Sequence, residues 1–551
     1  MDRHRAALTS RARWSVALLA APLAFLAWFF AWPVANIVGE GLRGEHGWDL
    51  RGVGEVLGDP ELRQVAWFTL WQALVSTALT LLIGLPAAHV LATYEFRGRR
   101  LLQALLVVPF VLPTVVVAAA FLSLLGPRGV LGVDLRGSAV AIVMAHAFFN
   151  HAVVVRTVGS LWEGLDPSTE EAARVLGASR WRAFTRVTWP AIRPAVASAA
   201  AIVFLFTFTS FGIVRILGGP ARSTLETEIY RQTADLLDLP VASVLALLQL
   251  AAVVALLAVH SWLERRQATK AVAMRAPRRH PVRGRTDRAW VAGNLALMAV
   301  WLGVPLVVLV ARSFRVGDHY GLAGWRALAG VSPDSRLFVS PVEAISNSIR
   351  FAGIATLLAV VLGGLAAAAL VRSKGRMARS VDSVLLLPLG TSAVTVGFGF
   401  LLALDEPVDL RASPWLVPIA QAVVALPFVV RTLTPVLRSI DPRLRDAAAV
   451  LGASPRRAWL AVDLPLVWRA LLVAAGFAFA ISLGEFGATV VIARADAPTV
   501  PITIARLLGR PGAINVAQGF ALSVVLMVLT TAAVLLVDRW RPPAGGRGGW
   551  V

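Results

Sequence analysis

The chain has 551 residues, 57% of them apolar, a formal charge of +21 and no cysteine. Lack of cysteine excludes a thiolate metal site and leaves the redox compartment unreadable. The apolar residues fall in runs of roughly 17–25 with few charges, which excludes an ordinary soluble domain and points to membrane-spanning helices.

Taken in chain order, twelve such runs stand out: about 15–37, 68–92, 101–125, 138–155, 193–214, 241–262, 289–310, 348–371, 383–404, 414–430, 469–491 and 516–537. The first follows Arg3, Arg5, Arg11 and Arg13. It is too long for a secretory signal, and Trp28, Phe29 and Trp32 leave no small-residue cleavage site, so it is expected to stay as a span. Arg97, Arg99 and Arg100 follow the second run, and Arg372, Lys374, Arg376 and Arg379 follow the eighth. The stretch 263–288 carries nine Lys/Arg against Glu264 and Asp287 and reads as a solvated linker. With twelve alternating spans, all these basic loops fall on one side. By the positive-inside rule that side is the cytoplasm, and both termini lie there. The charge is thus membrane topology and gives no reason to expect nucleic acid.

Tryptophans 14, 28, 32, 67, 71 and 290 sit near predicted interfaces, as belt residues do. His89, His146, Asn150 and His151 fall in spans two and four. With no second ligand set nearby, they suit lining or interhelical hydrogen bonding better than a metal path.

After span four comes a polar loop, Asp166–Pro190, and after span ten the same loop recurs 275 residues later as Asp441–Pro465. Both begin Asp-Pro, centre on Leu-Gly-Ala-Ser and end in proline. The offset also joins Pro113 to Pro388, Arg156-Thr157 to Arg431-Thr432, Phe211-Gly212 to Phe486-Gly487, and Thr224, Ile229 and Arg231 to Thr499, Ile504 and Arg506. The chain therefore reads as an all-α polytopic membrane protein of two six-helix repeats, 1–262 and 289–551, joined by 263–288. Six is even, so the repeats run parallel, about an axis along the membrane normal.

Within each loop, Asp166 and Asp441 suit N-caps and Pro167 and Pro442 the first helical turn. Gly177 and Gly452 suit left-handed helix ends, and Ser179 and Ser454 can cap a second short helix. Ala172, Ala173, Ala447 and Ala448 let a partner approach closely, beside the acids Glu170, Glu171 and Asp446. An amphipathic helix resting on the membrane would use similar residues. One copy per repeat favours docking on a two-fold symmetric partner.

Glu485 is the one acid inside an apolar run, opposite Ser210 in the other repeat. It suits either a water-filled pathway or a pin between helices. Beside it, Phe211-Gly212 and Phe486-Gly487 form a matched aromatic–glycine pair. That pair is a candidate gate, with ordinary packing as the plain alternative.

Glu171-Ala172-Ala173-x3-Gly177 resembles the EAA motif of ABC importer permeases, and Asp446-Ala447-Ala448-x3-Gly452 resembles it with Asp for Glu. The resemblance covers nearly the whole chain, as a fused two-copy permease. It implies that the two loops are coupling helices seated in clefts of ATPase subunits. It also implies an extracytoplasmic substrate-binding protein and a bacterial inner-membrane location. Lys270 and Lys374 are the only lysines, and neither completes a phosphate-binding loop. ATP is then consumed by separate subunits, expected as two copies, and this chain itself holds no cofactor or metal and is not an enzyme. A twelve-span secondary carrier, the rival class, does not account for the duplicated loops and calls for membrane-embedded acids.

Three segments resemble permeases of thiamine importers: Phe68-Thr-Leu-Trp71-Gln72-Ala, Ala145-His146-Ala-Phe148-Phe149-Asn150, and Leu217-Gly-Gly-Pro220 with Thr224-Leu-Glu226-Thr-Glu228-Ile-Tyr230. The implied cargo is thiamine or its phosphates. Fused iron(III) permeases share the two-copy plan and supply the runner-up.

Overall fold

In the computed structural model, the described residues are 17–44, 47–49, 51–126, 129–130, 132–219, 222–268, 279–330, 339–373, 375–406 and 409–538. The N-terminal arginines, Trp14, Pro220, Lys270, Lys374 and linker positions 269–278 lie outside them. The first half consists of α1 (Ala17–Leu42), α2 (Pro60–Thr93), α3 (Arg99–Val111), α4 (Thr114–Leu125), α5 (Ala139–Glu163), α6 (Pro167–Val175), α7 (Arg180–Phe208), α8 (Gly212–Leu217), α9 (Leu225–Tyr230) and α10 (Leu239–Ala268). The second repeats the order: α11 (Gly284–Ser313), α12 (Pro341–Arg372), α13 (Ser380–Gly390), α14 (Ala393–Ala403), α15 (Leu416–Ser439), α16 (Pro442–Val450), α17 (Arg456–Gly484), α18 (Gly487–Ile492), α19 (Val500–Leu508) and α20 (Ala513–Asp538).

Among the described residues, ten helices are long and apolar enough to cross a membrane. The third and ninth expected spans differ from the straight form. Each is a pair of helices, α3–α4 and α13–α14, bent by 97° at its break. Proline forces the first bend: Leu112 is driven into extended backbone before Pro113, which has no N–H for the ladder. In the second, Thr391 and Ser392 are both extended, and Ser392 Oγ then caps α14 by accepting from Thr395 N at 3.3 Å. Counting each bent pair once restores twelve.

Small residues let the helices of each half close up, since in lipid packing and hydrogen bonds must hold helices together. A Cβ on Gly84 of α2 would lie 2.8 Å from Val154 of α5, and one on Gly363 of α12 would lie 2.7 Å from Val429 of α15. Leu225 N donates to Thr69 Oγ1 at 2.9 Å, and its counterpart Val500 N donates to Ser348 Oγ at 2.7 Å. In α2 and α12 the repeat offset is thus 279, against 275 from Pro113 onward. The first half carries four extra residues in the turn after α2.

The two repeats interlock. Leu26 and Phe30 of α1 pack with Phe351 and Phe400 of the second half. Trp32 Nε1 donates to Ala403 O at 3.1 Å. Reciprocally, Val308 of α11 packs with Phe121 and Phe148 of the first half. The expected linker is also tied down where it is described. His280–Pro281 pair in parallel with Tyr94–Glu95, and Arg279 meets Glu163 and Glu95. Tyr94 Oη donates to Asp287 Oδ1 at 3.4 Å, and burial beside that carboxylate raises its phenol above the ordinary range.

Candidate functional site

At one end of the molecule the two repeated loops form matching helix-turn-helix pairs. Asp166 Oδ1 accepts from Ser168 N at 3.0 Å, and Asp441 Oδ1 accepts from Arg443 N at 2.9 Å, starting α6 and α16. Gly177 and Gly452 end them in left-handed backbone, φ +88° and +77°, with open space around each. Ser179 and Ser454 cap the next turn, each accepting at 3.3 Å from Arg182 N and Arg457 N. Both copies then enter a π-helical turn, Phe184–Thr188 and Trp459–Asp463, before the following span.

Glu171, Ala172, Asp446 and Ala447 are exposed, and Ala173 and Ala448 are half-buried. Next to them lie residues the sequence reading passed over. Val175 and Leu176 are 86% and 88% exposed, and Val450 and Leu451 are 88% and 87% exposed. The two loops thus carry matching exposed apolar pairs. The signal was available: Val-Leu precedes Gly in both copies of an otherwise polar loop.

Glu170 departs from its expected place on the docking face. It turns inward, where Thr188 Oγ1 donates to Glu170 Oε2 at 2.5 Å. The matching pair in the second half is Arg445 and Asp463, with Arg445 Nε donating to Asp463 Oδ1 at 2.7 Å. Arg372 also lies 3.7 Å from buried Asp463. Each pair fastens a loop helix to the root of the next span, with different chemistry.

On the midline, Phe211 and Phe486 meet with ring centroids 5.2 Å apart, both buried. Glycines allow the approach. A Cβ on Gly212 would lie 2.4 Å from Thr114 Oγ1 and 3.3 Å from Phe486, and one on Gly487 would lie 3.0 Å from Ala393 Cβ. Glu485 does not point into a channel. Its Oε1 accepts from Ala488 N at 2.7 Å and its Oε2 from Thr489 N at 3.0 Å, so it closes the N-terminus of α18. Its counterpart Ser210 is buried, with no hydrogen-bond partner among the described residues.

The histidines separate. His89 accepts from Trp290 Nε1 at 3.2 Å and packs against Trp162. His146 and Asn150 lie in the α2–α5 seam, where His146 Nδ1 is 3.4 Å from Ser76 Oγ and Asn150 Nδ2 donates to His146 O at 3.0 Å.

Comparison with known proteins places the chain in a family. The family described as binding-protein-dependent transport system inner membrane component matches twice, over residues 80–269 and 359–542. The thiamine transport system permease protein ThiP of Brucella abortus (strain 2308) is 29% identical over 497 residues, spanning 87% of this chain and 88% of that one. The protein of the same name from Escherichia coli (strain K12) is 25% identical over 497 residues, covering 87% and 89%. A solved bacterial ABC transporter involved in import of the acidic polysaccharide alginate aligns with 46% of this chain and 95% of its own, at 18% identity and TM-score 0.38.

Proposed function

The chain belongs to the binding-protein-dependent transport system inner membrane components, and from that premise we propose that the cargo of this ABC importer permease is thiamine or a thiamine phosphate. One observation carries the cargo reading: the relatives named as thiamine permeases align over 87% of the chain, through both repeats. Iron(III) is the runner-up and is not better supported.

The permease works with two copies of an ATPase subunit and with an extracytoplasmic binding protein. Its loop end faces the cytoplasm, as do both termini. α6 and α16 are the coupling helices. Their exposed Val175-Leu176 and Val450-Leu451 enter apolar clefts of the two ATPases, while Glu171 and Asp446 make the polar contacts at the rim. The inner pairs Glu170–Thr188 and Arg445–Asp463 make each loop rigid with its span, so a push on the loop moves α7 or α17 as a body. Phe211 and Phe486 follow just after the ends of those two spans. Separation of the halves therefore parts the two rings, and their return closes the path. Glu485 keeps α18 formed during this motion by satisfying its first N–H groups.

The test is reconstitution of the permease with its ATPase and binding protein, followed by ATP-dependent uptake of labelled thiamine and of ferric iron in separate vesicles. Thiamine uptake is the expected outcome. Iron uptake without thiamine uptake overturns the cargo and leaves the permease assignment in place.

A further inference from the structure

At the end of the molecule opposite the coupling loops, the first half carries an open cavity of about 900 Å³. One wall is aromatic, made by Trp67, Phe68 and Trp71 of α2. Two exposed guanidiniums lie on aromatic faces at its edge. Arg222 stands 5.7 Å over Phe68, and Arg215 of α8 stands 5.0 Å over Tyr230. Among the described residues neither forms an ion pair. Elsewhere in the lining three carboxylates act on one arginine. Glu228 holds Arg231 through Nε and Nη2 at 2.8–3.1 Å, and Glu61 and Asp235 act on the same guanidinium through space. The lining therefore holds two guanidiniums outside this cluster, Arg215 and Arg222, together with an acidic cluster.

Its position matters as much as its charge. Tyr230, beneath Arg215, lies 5.4 Å from Phe211, which lies 5.2 Å from Phe486. Arg215, in the cavity lining, is thus linked to the midline pair through Tyr230 and two tilted ring contacts. The counterpart residues of the second half differ. Arg215, Arg222 and Asp235 correspond to Val490, Ala497 and Arg510, and Trp67 and Trp71 correspond to Ser346 and Arg350. One site per transporter suits one ligand waiting at one gate.

Resting on the thiamine reading, we propose that this cavity is a pre-gate site for a zwitterionic aromatic phosphate ester. The phosphate oxygens accept from Arg215 and Arg222, whose planar forks match them. The cationic ring lies against the Trp67–Trp71 wall, near the excess negative charge of Glu61, Glu228 and Asp235. A volume of this size lies in the range of small-molecule sites. Free thiamine lacks the phosphate, so it gains nothing from Arg215 and Arg222. The cavity thus favours thiamine phosphates over thiamine at the permease itself, independently of the binding protein.

The test uses the whole reconstituted complex in phosphatidylglycerol vesicles, with saturating binding protein loaded with thiamine or with thiamine monophosphate. Loss of one phosphate contact from Arg222→Gln is expected to slow ester uptake about tenfold more than thiamine uptake. Arg222→Lys, which keeps the charge, is expected to recover most of the difference. Equal effects on the two cargoes, no effect on either, or thiamine uptake with no ester uptake by the unmodified complex each overturn the proposal. An Arg222→Gln effect that appears only with phosphatidylethanolamine present assigns the cavity to a lipid headgroup and overturns it as well. Failure of the unmodified complex to move either cargo overturns the thiamine reading, and the site falls with it.

Discussion

The two halves share a backbone plan and differ in what fills it. In the first, α2 and α5 carry Gln72, Ser76, Thr80, His146, Asn150 and His151, all buried. The matching positions on α12 and α15 are Phe351, Ala355, Ala359, Gln421, Ala425 and Leu426. The glycine–valine contact between the helices is the same in both, to within about 0.1 Å. Close approach is a geometric requirement met by glycine, and once met, either polar or apolar side chains can fill the seam. The loops follow the same rule. Their caps, left-handed glycines and bare apolar pairs match, while the inner fastening is Glu170–Thr188 in one and Arg445–Asp463 in the other. The exposed features of the two loops are held in common. Features facing only this chain have diverged.

Three experiments act on this comparison, the largest effect first. If both loops engage identical clefts, Gly177→Trp and Gly452→Trp should each abolish uptake while membrane insertion survives. Each puts bulk where space is now open and where a side chain is strained at positive φ. Co-purification of the ATPase measures the loss. Full uptake by the double variant would remove the docking reading and return a secondary carrier to consideration.

The fastening pairs should not respond alike. Asp463→Ala leaves Arg445 and Arg372 facing a site without its carboxylate, at a cost of about 2 kcal/mol once their partial exposure is allowed for. Thr188→Ala removes one hydrogen bond, worth about 1 kcal/mol. Thermal unfolding in detergent should rank them in that order. Equal losses would mean that the loops are held by something other than these pairs.

The smallest effect belongs to the seam. Thr80→Ala converts a first-half position to its second-half residue, Ala359. Among the described residues Thr80 Oγ1 donates to Ser76 O, one turn earlier at 2.6 Å, so the change should cost under about 1 kcal/mol. A loss of several kcal/mol would show that the polar seam holds the first half together in a way the second does not need.

Much of this molecule is written in local sequence. Apolar runs of bilayer length need helices because backbone groups cannot go unpaired in lipid. Asp-Pro starts and Gly stops define the loop helices because caps act within a turn. A constant offset reveals the duplication, and Phe211-Gly212 with Phe486-Gly487 marks the midline pair. Other properties depend on residues far apart in the chain, and only packing decided them. Pro113 advertises a break, but the 97° angle follows from where α4 must lie between α5 and α8. Glu170 reads as a docking acid until Thr188 is found beneath it. Glu485 reads as a channel acid until the backbone of α18 turns its first N–H groups onto the carboxylate. The cavity of Trp67, Arg215 and Arg222 joins three separate segments, and nothing in any one of them announces the other two. Local sequence specifies backbone geometry over a few residues. Which side chain meets which is a property of the assembled fold.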